Sequence, residues 1–235
     1  MHLSNDDSTL RILLAALKLA EAGSELDLEK VAFESQVPMH SAKSVLSSIL
    51  NLKQLEDSAA PDLRLRLAME IARLGYPEKA AKALTWQEFE GFAEDCLLES
   101  RFQTEKNVRV QGEGRAWQID VLGIRGKLIL AIDCKHWNTP AYISRFRLAA
   151  DHQRQATVHL LRTIHNKKIS GPEEPSALPI ILTLREPPTR FSWDTTFVSI
   201  EKLPRFLSDV TPYDEDLPFI TSTSTVVQNP MNQSS

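Results

Sequence analysis

The sequence predicts an α/β protein: a mixed sheet flanked by helices, preceded by an all-α helix-turn-helix domain. Three observations lead there. Two β-rich apolar runs, 117–125 and 127–135, flank a turn signal at Arg125-Gly126, which is the pattern of an antiparallel hairpin. Amphipathic helical spacing precedes and follows that hairpin, with further apolar strand runs at 178–184 and 196–200. Residues 1–60, by contrast, read as three helices.

In chain order, Leu10 to Ala22 shows helical apolar spacing ended by Gly23-Ser24, and Leu26 to Ala32 opens a second helix. Gln36-Val37-Pro38 makes a turn, and Met39 to Leu55 gives the third helix. Short helix, tight turn, longer helix is the helix-turn-helix pattern. It is similar to winged-helix modules, although no clear wing hairpin follows Leu55. This domain carries five Lys/Arg against nine Asp/Glu, a net −4. Its third helix offers His40, Ser41, Lys43, Ser44, Ser47 and Lys53, a sparse reading surface with Lys43 as the candidate DNA contact. DNA binding and docking of a protein partner are both open for it. Residues 61–84 read as two connector helices broken at Gly75-Tyr76-Pro77.

Thr85-Trp-Gln-Glu88 is a capping box, so a helix should begin at Trp86. Trp86, Phe89, Phe92, Ala93, Cys96 and Leu97 form its apolar face, and Glu88, Asp95 and Glu99 its solvated side. Glu90 projects inside the apolar face, where an unpaired carboxylate costs several kcal/mol, so it needs a cation or a proton. Glu94 sits at the margin and is a weaker candidate. In the hairpin, two central turn residues would set 124 against 127 and 120 against 131. Any even loop puts Asp120 on the face of Asp133 and Lys135, because strand side chains alternate, while Leu130, Ile132 and Cys134 point the other way. Two carboxylates and an ammonium then share one patch of sheet, with Glu90 as a third carboxylate.

A helix carrying Glu90, a hairpin carrying Asp120, then Asp133-Cys134-Lys135, resembles the PD-(D/E)xK nuclease superfamily. The closest branches are the Mrr-type restriction endonucleases and the archaeal Holliday-junction resolvases. The resemblance covers roughly residues 84 to 210. Ile119 replaces the proline of the family name, and Asp133 replaces the more frequent Glu. The resemblance implies a restriction-endonuclease-like fold that hydrolyses DNA with Mg²⁺ or Mn²⁺, hard ions suited to carboxylate oxygens. Asp120 and Asp133 would hold the ion, helped by the backbone carbonyl of Cys134, and Glu90 would bind through water or complete a second site. Lys135 would orient or help deprotonate the attacking water and offset transition-state charge. An ordinary Asp–Lys salt bridge on a surface hairpin is the bland alternative, and it leaves Glu90 unexplained.

Ser144 can cap a long helix, about 145–165, with Phe146, Ala149, Ala150, Leu160, Leu161 and Ile164 on one face. Gln153 lies in the middle of that face, where a buried amide needs partners. Several nucleases of the superfamily place a Gln there, near the metal; a Gln bonded to nearby backbone is the other reading. His152 and His159 fall on the outer side. A closing helix spans 201–210.

Charge points to the substrate. Residues 101–168 hold thirteen Lys/Arg against five Asp/Glu, a local +8, in a chain whose net charge is −4. Arg101, Lys106, Arg109, Arg115, Arg125 and Lys127 surround the hairpin, and Arg145, Arg147 and Arg154 line the next helix. Cations around an acidic pocket suit a phosphodiester polymer. The expected domains are a helix-turn-helix domain (1–60), a helical connector (61–84), a nuclease-like domain (85–210) and a disordered tail (211–235), which has no Lys or Arg. Cys96 and Cys134 make no disulfide framework, no stretch is long enough to span a membrane, and no signal-peptide pattern is visible, so a reducing cytoplasm is expected. Two cuts on a duplex would need two active sites, which a homodimer supplies, although the residues themselves show no dimer. The alternative function is a catalytically weak or inactive nucleic-acid-binding or regulatory protein on the same fold. Glu90, Asp120, Asp133 and Lys135 together favour the enzyme.

Overall fold

The structure, a computed structural model, describes residues 3–20, 26–50, 63–137, 143–166, 172 and 174–221. The chain divides into two compact units, residues 1–92 and 93–235.

In the first unit, α1 (Leu3–Leu19), α2 (Leu28–Ser35) and α3 (Met39–Ile49) are helices, as expected for this part of the chain. Asp27 caps α2 by accepting the Lys30 N–H at 3.0 Å, satisfying one of the unpaired donors of the first turn. Gln36 ends it in the left-handed conformation (φ 56°), and α3 starts directly after Pro38. Lys53 and the stretch after Leu55 where a wing would lie fall outside the described residues. Lys43 is exposed on α3.

Two further helices, α4 (Leu63–Arg73) and α5 (Pro77–Lys82), fill the stretch expected as a connector, and they belong to this unit. Arg64 shows why. Its guanidinium donates to Leu17 O (2.6 Å), Ala20 O (2.9 Å) and Ala83 O (2.5 Å) and pairs with Glu88 Oε1 (2.6 Å). It thus ties α1 and the end of α5 to the start of α6 (Trp86–Glu99). The capping box closes as the sequence predicts: Thr85 N–H donates to Glu88 Oε2 at 2.7 Å, and Glu88 N–H to Thr85 Oγ1 at 3.3 Å. Glu88 is therefore half-buried rather than solvated. Trp86, expected on the apolar face, is 57% exposed, because the buried stripe begins one turn later at Phe89.

The C-terminal unit is a seven-stranded mixed sheet with helices. Its strands are β1 (Gln103–Gly112), β2 (Arg115–Arg125), β3 (Leu128–Lys135), β4 (Ser176–Thr183), β5 (Phe191–Ser192), β6 (Thr195–Ser199) and β7 (Ile220–Thr221). The order is β1-β2-β3-β4-β6-β5, with β7 pairing β4. β1, β2 and β3 form an antiparallel meander, and β3, β4 and β6 are parallel. The crossover from β3 to β4 runs through the long helix α7 (Ile143–His165), as a parallel connection requires. The shorter α8 (Leu203–Asp209) follows β6. Strands β3 and β4 are buried nearly throughout, which explains their unbroken apolar sequences.

Three expectations are corrected here. The hairpin turn is Gly126-Lys127, with Arg125 opposite Leu128, because Gly126 takes the positive φ (60°) at the first turn position. This moves the register two places and sets Leu122, rather than Asp120, against Ala131. The meander has a first strand, β1, where no strand was expected. Residues 211–221 are ordered rather than tail: Leu217 and Ile220 are buried, and β7 pairs with Ser176 and Ala177 of β4. Residues 222–235 lie outside the described residues. Among the described residues, no helix is long and apolar enough to cross a membrane.

Candidate metal centre

The site forms where the sheet is least regular. Ile119 and Leu122 join the same apolar cluster, although strict alternation would put them on opposite faces. The alternation is therefore broken at Asp120-Val121. The β1–β2 ladder skips the Asn107–Asp120 position, and the β2–β3 ladder ends at Val121–Ile132. Asn107 itself adopts a left-handed backbone (φ 55°), which Asn tolerates better than most residues.

One place beyond the last β2–β3 pair, Asp120 comes opposite Asp133. Both are buried, at 9% and 6% exposure. Asp120 Oδ2 accepts the Cys134 N–H at 2.8 Å, and Asp120 Oδ1 accepts from Gln118 Nε2 at 3.3 Å. The same Gln118 amide reaches Asn107 Oδ1 at 3.2 Å. Lys135 Nζ lies 2.8 Å from Asp133 Oδ1 and 2.7 Å from Oδ2, with hydrogen-bond geometry to Oδ1. Burial pushes the Asp133 carboxyl up to about 6; Lys135 pulls the other way, and the neighbouring Asp120 adds to the rise.

Gln153 is fully buried, as its place on the apolar face of α7 predicts, and donates from Nε2 to Ala131 O at 2.6 Å. Its Oε1 has no hydrogen-bond partner among the described residues. The amide thus pins α7 to β3 two residues before Asp133. Glu90 is buried (6% exposed) in the first half of α6, and that half belongs to the N-terminal unit. Glu94 is engaged elsewhere, accepting from Thr104 Oγ1 at 3.1 Å and pairing with Lys106 at 2.7 Å. Cys134 reaches the site through its backbone N–H.

Sequence reasoning missed the residues that support Asp120. Gln118 could have been found, since period two puts it on the Asp120 face; the left-handed Asn107 left no pattern to read. It also misplaced one of the two histidines expected on the outer side of α7. His159 is buried (4% exposed) with its ring 5.4 Å from that of Trp117. The imidazole lies so close to Gly112 that a Cβ there would come within 2.1 Å of Nδ1. His152 is exposed, as expected, with its ring 5.1 Å from that of Trp117, and partial desolvation, then the charge of Lys135, holds its pKa below the usual imidazole range.

The expected phosphate contacts divide. Arg109 is exposed on β1, and Arg115 stacks 3.5 Å over Trp117. Arg145 and Arg147 are exposed on α7, Arg147 4.0 Å from Asp151, and Arg154 pairs with Asp194 at 3.3 Å. Arg125 and Lys127 are at the far end of the hairpin from Asp133, and Arg125 is a structural tie. It donates to Ser100 O (3.1 Å), Leu207 O (3.2 Å) and Val210 O (2.9 Å), and stacks on Phe102. Arg125→Ala is expected to cost roughly 2–4 kcal/mol of stability, by leaving three carbonyls short of a donor. It should leave the salt dependence of DNA binding unchanged; a shallower slope in a salt titration would return Arg125 to the phosphate surface.

Among the described residues, no group of three or more His, Cys, Asp or Glu comes together to hold a metal ion. Two carboxylates do suffice for Mg²⁺, which takes one or two of them and fills its remaining positions with water and substrate phosphate. The hard oxygen donors of Asp120 and Asp133 fit that demand; Asp133 Oδ2 has no hydrogen-bond partner among the described residues, its close neighbour being the Lys135 ammonium at 2.7 Å. A scan against protein-family models finds no matching family, and searches of curated proteins and of solved structures find no match.

Proposed function

We propose that this protein is a metal-dependent nuclease of the PD-(D/E)xK kind, hydrolysing phosphodiester bonds of DNA at Asp120, Asp133 and Lys135. The observation that carries the reading is a pair of buried carboxylates set against each other beside one lysine. Such a pair is costly unless a cation is drawn to it. Its surroundings are cationic, with the local +8 of residues 101–168 suited to a polyanion. The mixed sheet, with a meander leading through α7 into parallel strands, is compatible with this reading.

A bound Mg²⁺ or Mn²⁺ would supply Lewis-acid activation of the phosphodiester and of a water. Asp120 and Asp133 would hold it, Asp120 being oriented by Cys134 N–H and Gln118. Lys135 would leave Asp133 to orient the attacking water and offset the charge that grows on the phosphate oxygens. Gln153 would keep β3 in place against α7. Arg109, Arg145 and Arg147 would hold flanking phosphates.

Asp120→Ala is the direct test of the metal. Calorimetry should show Mn²⁺ binding by the native protein and a loss of at least about tenfold in the variant. Labelled linear, branched and single-stranded DNA incubated with Mg²⁺ or EDTA should show cleavage that needs the metal and disappears in Asp120→Ala. Equal Mn²⁺ binding by both proteins would remove the site. Binding of DNA without cleavage of any substrate would leave a nucleic-acid-binding protein on a nuclease-like sheet.

A further inference from the structure

The carboxylate pair continues into an aromatic row. Asp133 pairs in register with Ile181 of β4, and Ile181 with Phe197 of β6. Neighbours across parallel strands share a face, and strands lie about 4.8 Å apart, so Phe197 stands roughly 10 Å from Asp133 on the same face. Phe146 of α7 packs edge-on against Phe197 (centroids 5.5 Å), in a small cluster with Ala150 and Ile181. Both phenylalanines are buried.

Each end of this pair carries a tryptophan that is only partly buried. Trp137 meets Phe146 edge-to-face at 5.0 Å, and Trp193 meets Phe197 at 6.3 Å. Trp137 is also tied to the site, since its N–H donates to Lys135 O at 2.8 Å. The exposed Arg145 places its guanidinium 5.0 Å from the centre of the Trp137 ring. Trp193 occupies a two-residue hairpin turn in which both central residues, Trp193 and Asp194, have φ 52°. Asn or Gly would take that conformation with less strain. A large ring held there projects from a fixed backbone, and Thr195 Oγ1 fixes it further by bonding Trp193 O and Ala150 O, both at 3.3 Å.

Rigid, partly exposed indoles, here one of them with an arginine beside it, are what unpaired bases stack upon, whereas bases inside a duplex offer no free face. We propose that Trp137 and Trp193 form a stacking platform for unpaired nucleotides beside the scissile phosphate, with Arg145 on the adjoining phosphate. The preferred substrate is then single-stranded DNA or the unpaired segment of a branched molecule. This rests on the nuclease reading for its purpose but is tested by binding alone.

The experiment uses the full chain in EDTA and fluorescence anisotropy with three probes: a thymidine oligonucleotide, the same length carrying abasic sites, and a blunt duplex. The native protein should bind the oligonucleotide about tenfold more tightly than either other probe, the effect of roughly one stacked base. Trp137→Ala and Trp193→Ala should each erase the difference between thymidine and abasic probes while leaving duplex binding unchanged. Trp137→Phe should retain most of it, which separates stacking from a merely structural role if an alanine variant folds poorly. Equal affinity of the native protein for thymidine and abasic probes would overturn the platform. Discrimination that survives both alanine variants would do the same. Stacking without Mg²⁺-dependent cleavage would instead sustain the platform and remove the nuclease.

Discussion

Lys135→Ala is expected to lower the turnover of bound DNA by a factor on the order of 10²–10³, equivalent to about 3–4 kcal/mol on the barrier. The lysine is placed for this. Its ammonium lies 2.7–2.8 Å from both oxygens of Asp133, and its side chain is only 29% exposed, so little water screens its charge. Charge that develops on a phosphate oxygen beside Asp133 would meet it directly. DNA affinity should hold within about twofold, because many other cations share the phosphates. Single-turnover cleavage at saturating enzyme separates the two quantities. If affinity collapses while bound DNA is still cut at the native rate, Lys135 is a phosphate clamp and the role assigned to it is wrong.

Asp133→Asn should remove Mn²⁺ binding and yet make the metal-free protein more stable at neutral pH. The folded chain raises this carboxyl from 3.8 to about 6, chiefly by burial. Between those values the native state holds a proton that the unfolded chain has released. The stabilisation from that proton is therefore complete below about pH 4 and is lost as pH rises through 6. A shift of about two units corresponds to roughly 3 kcal/mol, and the variant leaves Lys135 without its partner, so a net gain of about 1–2 kcal/mol is expected at pH 7.5. At pH 4 the two proteins should be nearly equal. Urea unfolding in EDTA at both pH values measures this. A gain of the same size at both would mean that the charge is not its source.

The parts of this fold that a single strand or helix can encode were readable. β3 and β4 announce themselves as apolar runs, α7 by its buried stripe around Gln153, and α6 by its capping box. Period two put Asp133 and Lys135 on one face, but Asp120 comes opposite Asp133 only beyond the break in β2 alternation between Ile119 and Leu122, which no sequence pattern announces. What was not readable depends on neighbours. In β1 the polar stretch Gln103–Asn107 hides a strand, because it lies at the border of the sheet with one face wet, and only the Gly112-Glu113-Gly114 turn signal hinted at it. Arg125 looked like surface charge because nothing in the sequence says that three distant carbonyls end beside it. His159 looked external because its burial depends on the missing Cβ of Gly112, on another strand.

The left-handed Asn107 also bears on how the molecule behaves when crowded. β1 is an outermost strand, ten residues long, and a straight strand of that length offers a row of open backbone groups on which another chain could grow a sheet. A kink midway, with Glu105, Lys106 and Arg109 exposed around it, makes a poor template for such growth. The irregularity that opens the ladder opposite Asp120 thus doubles as protection against aggregation. Restoring a regular strand at position 107 would be expected to endanger solubility along with the site.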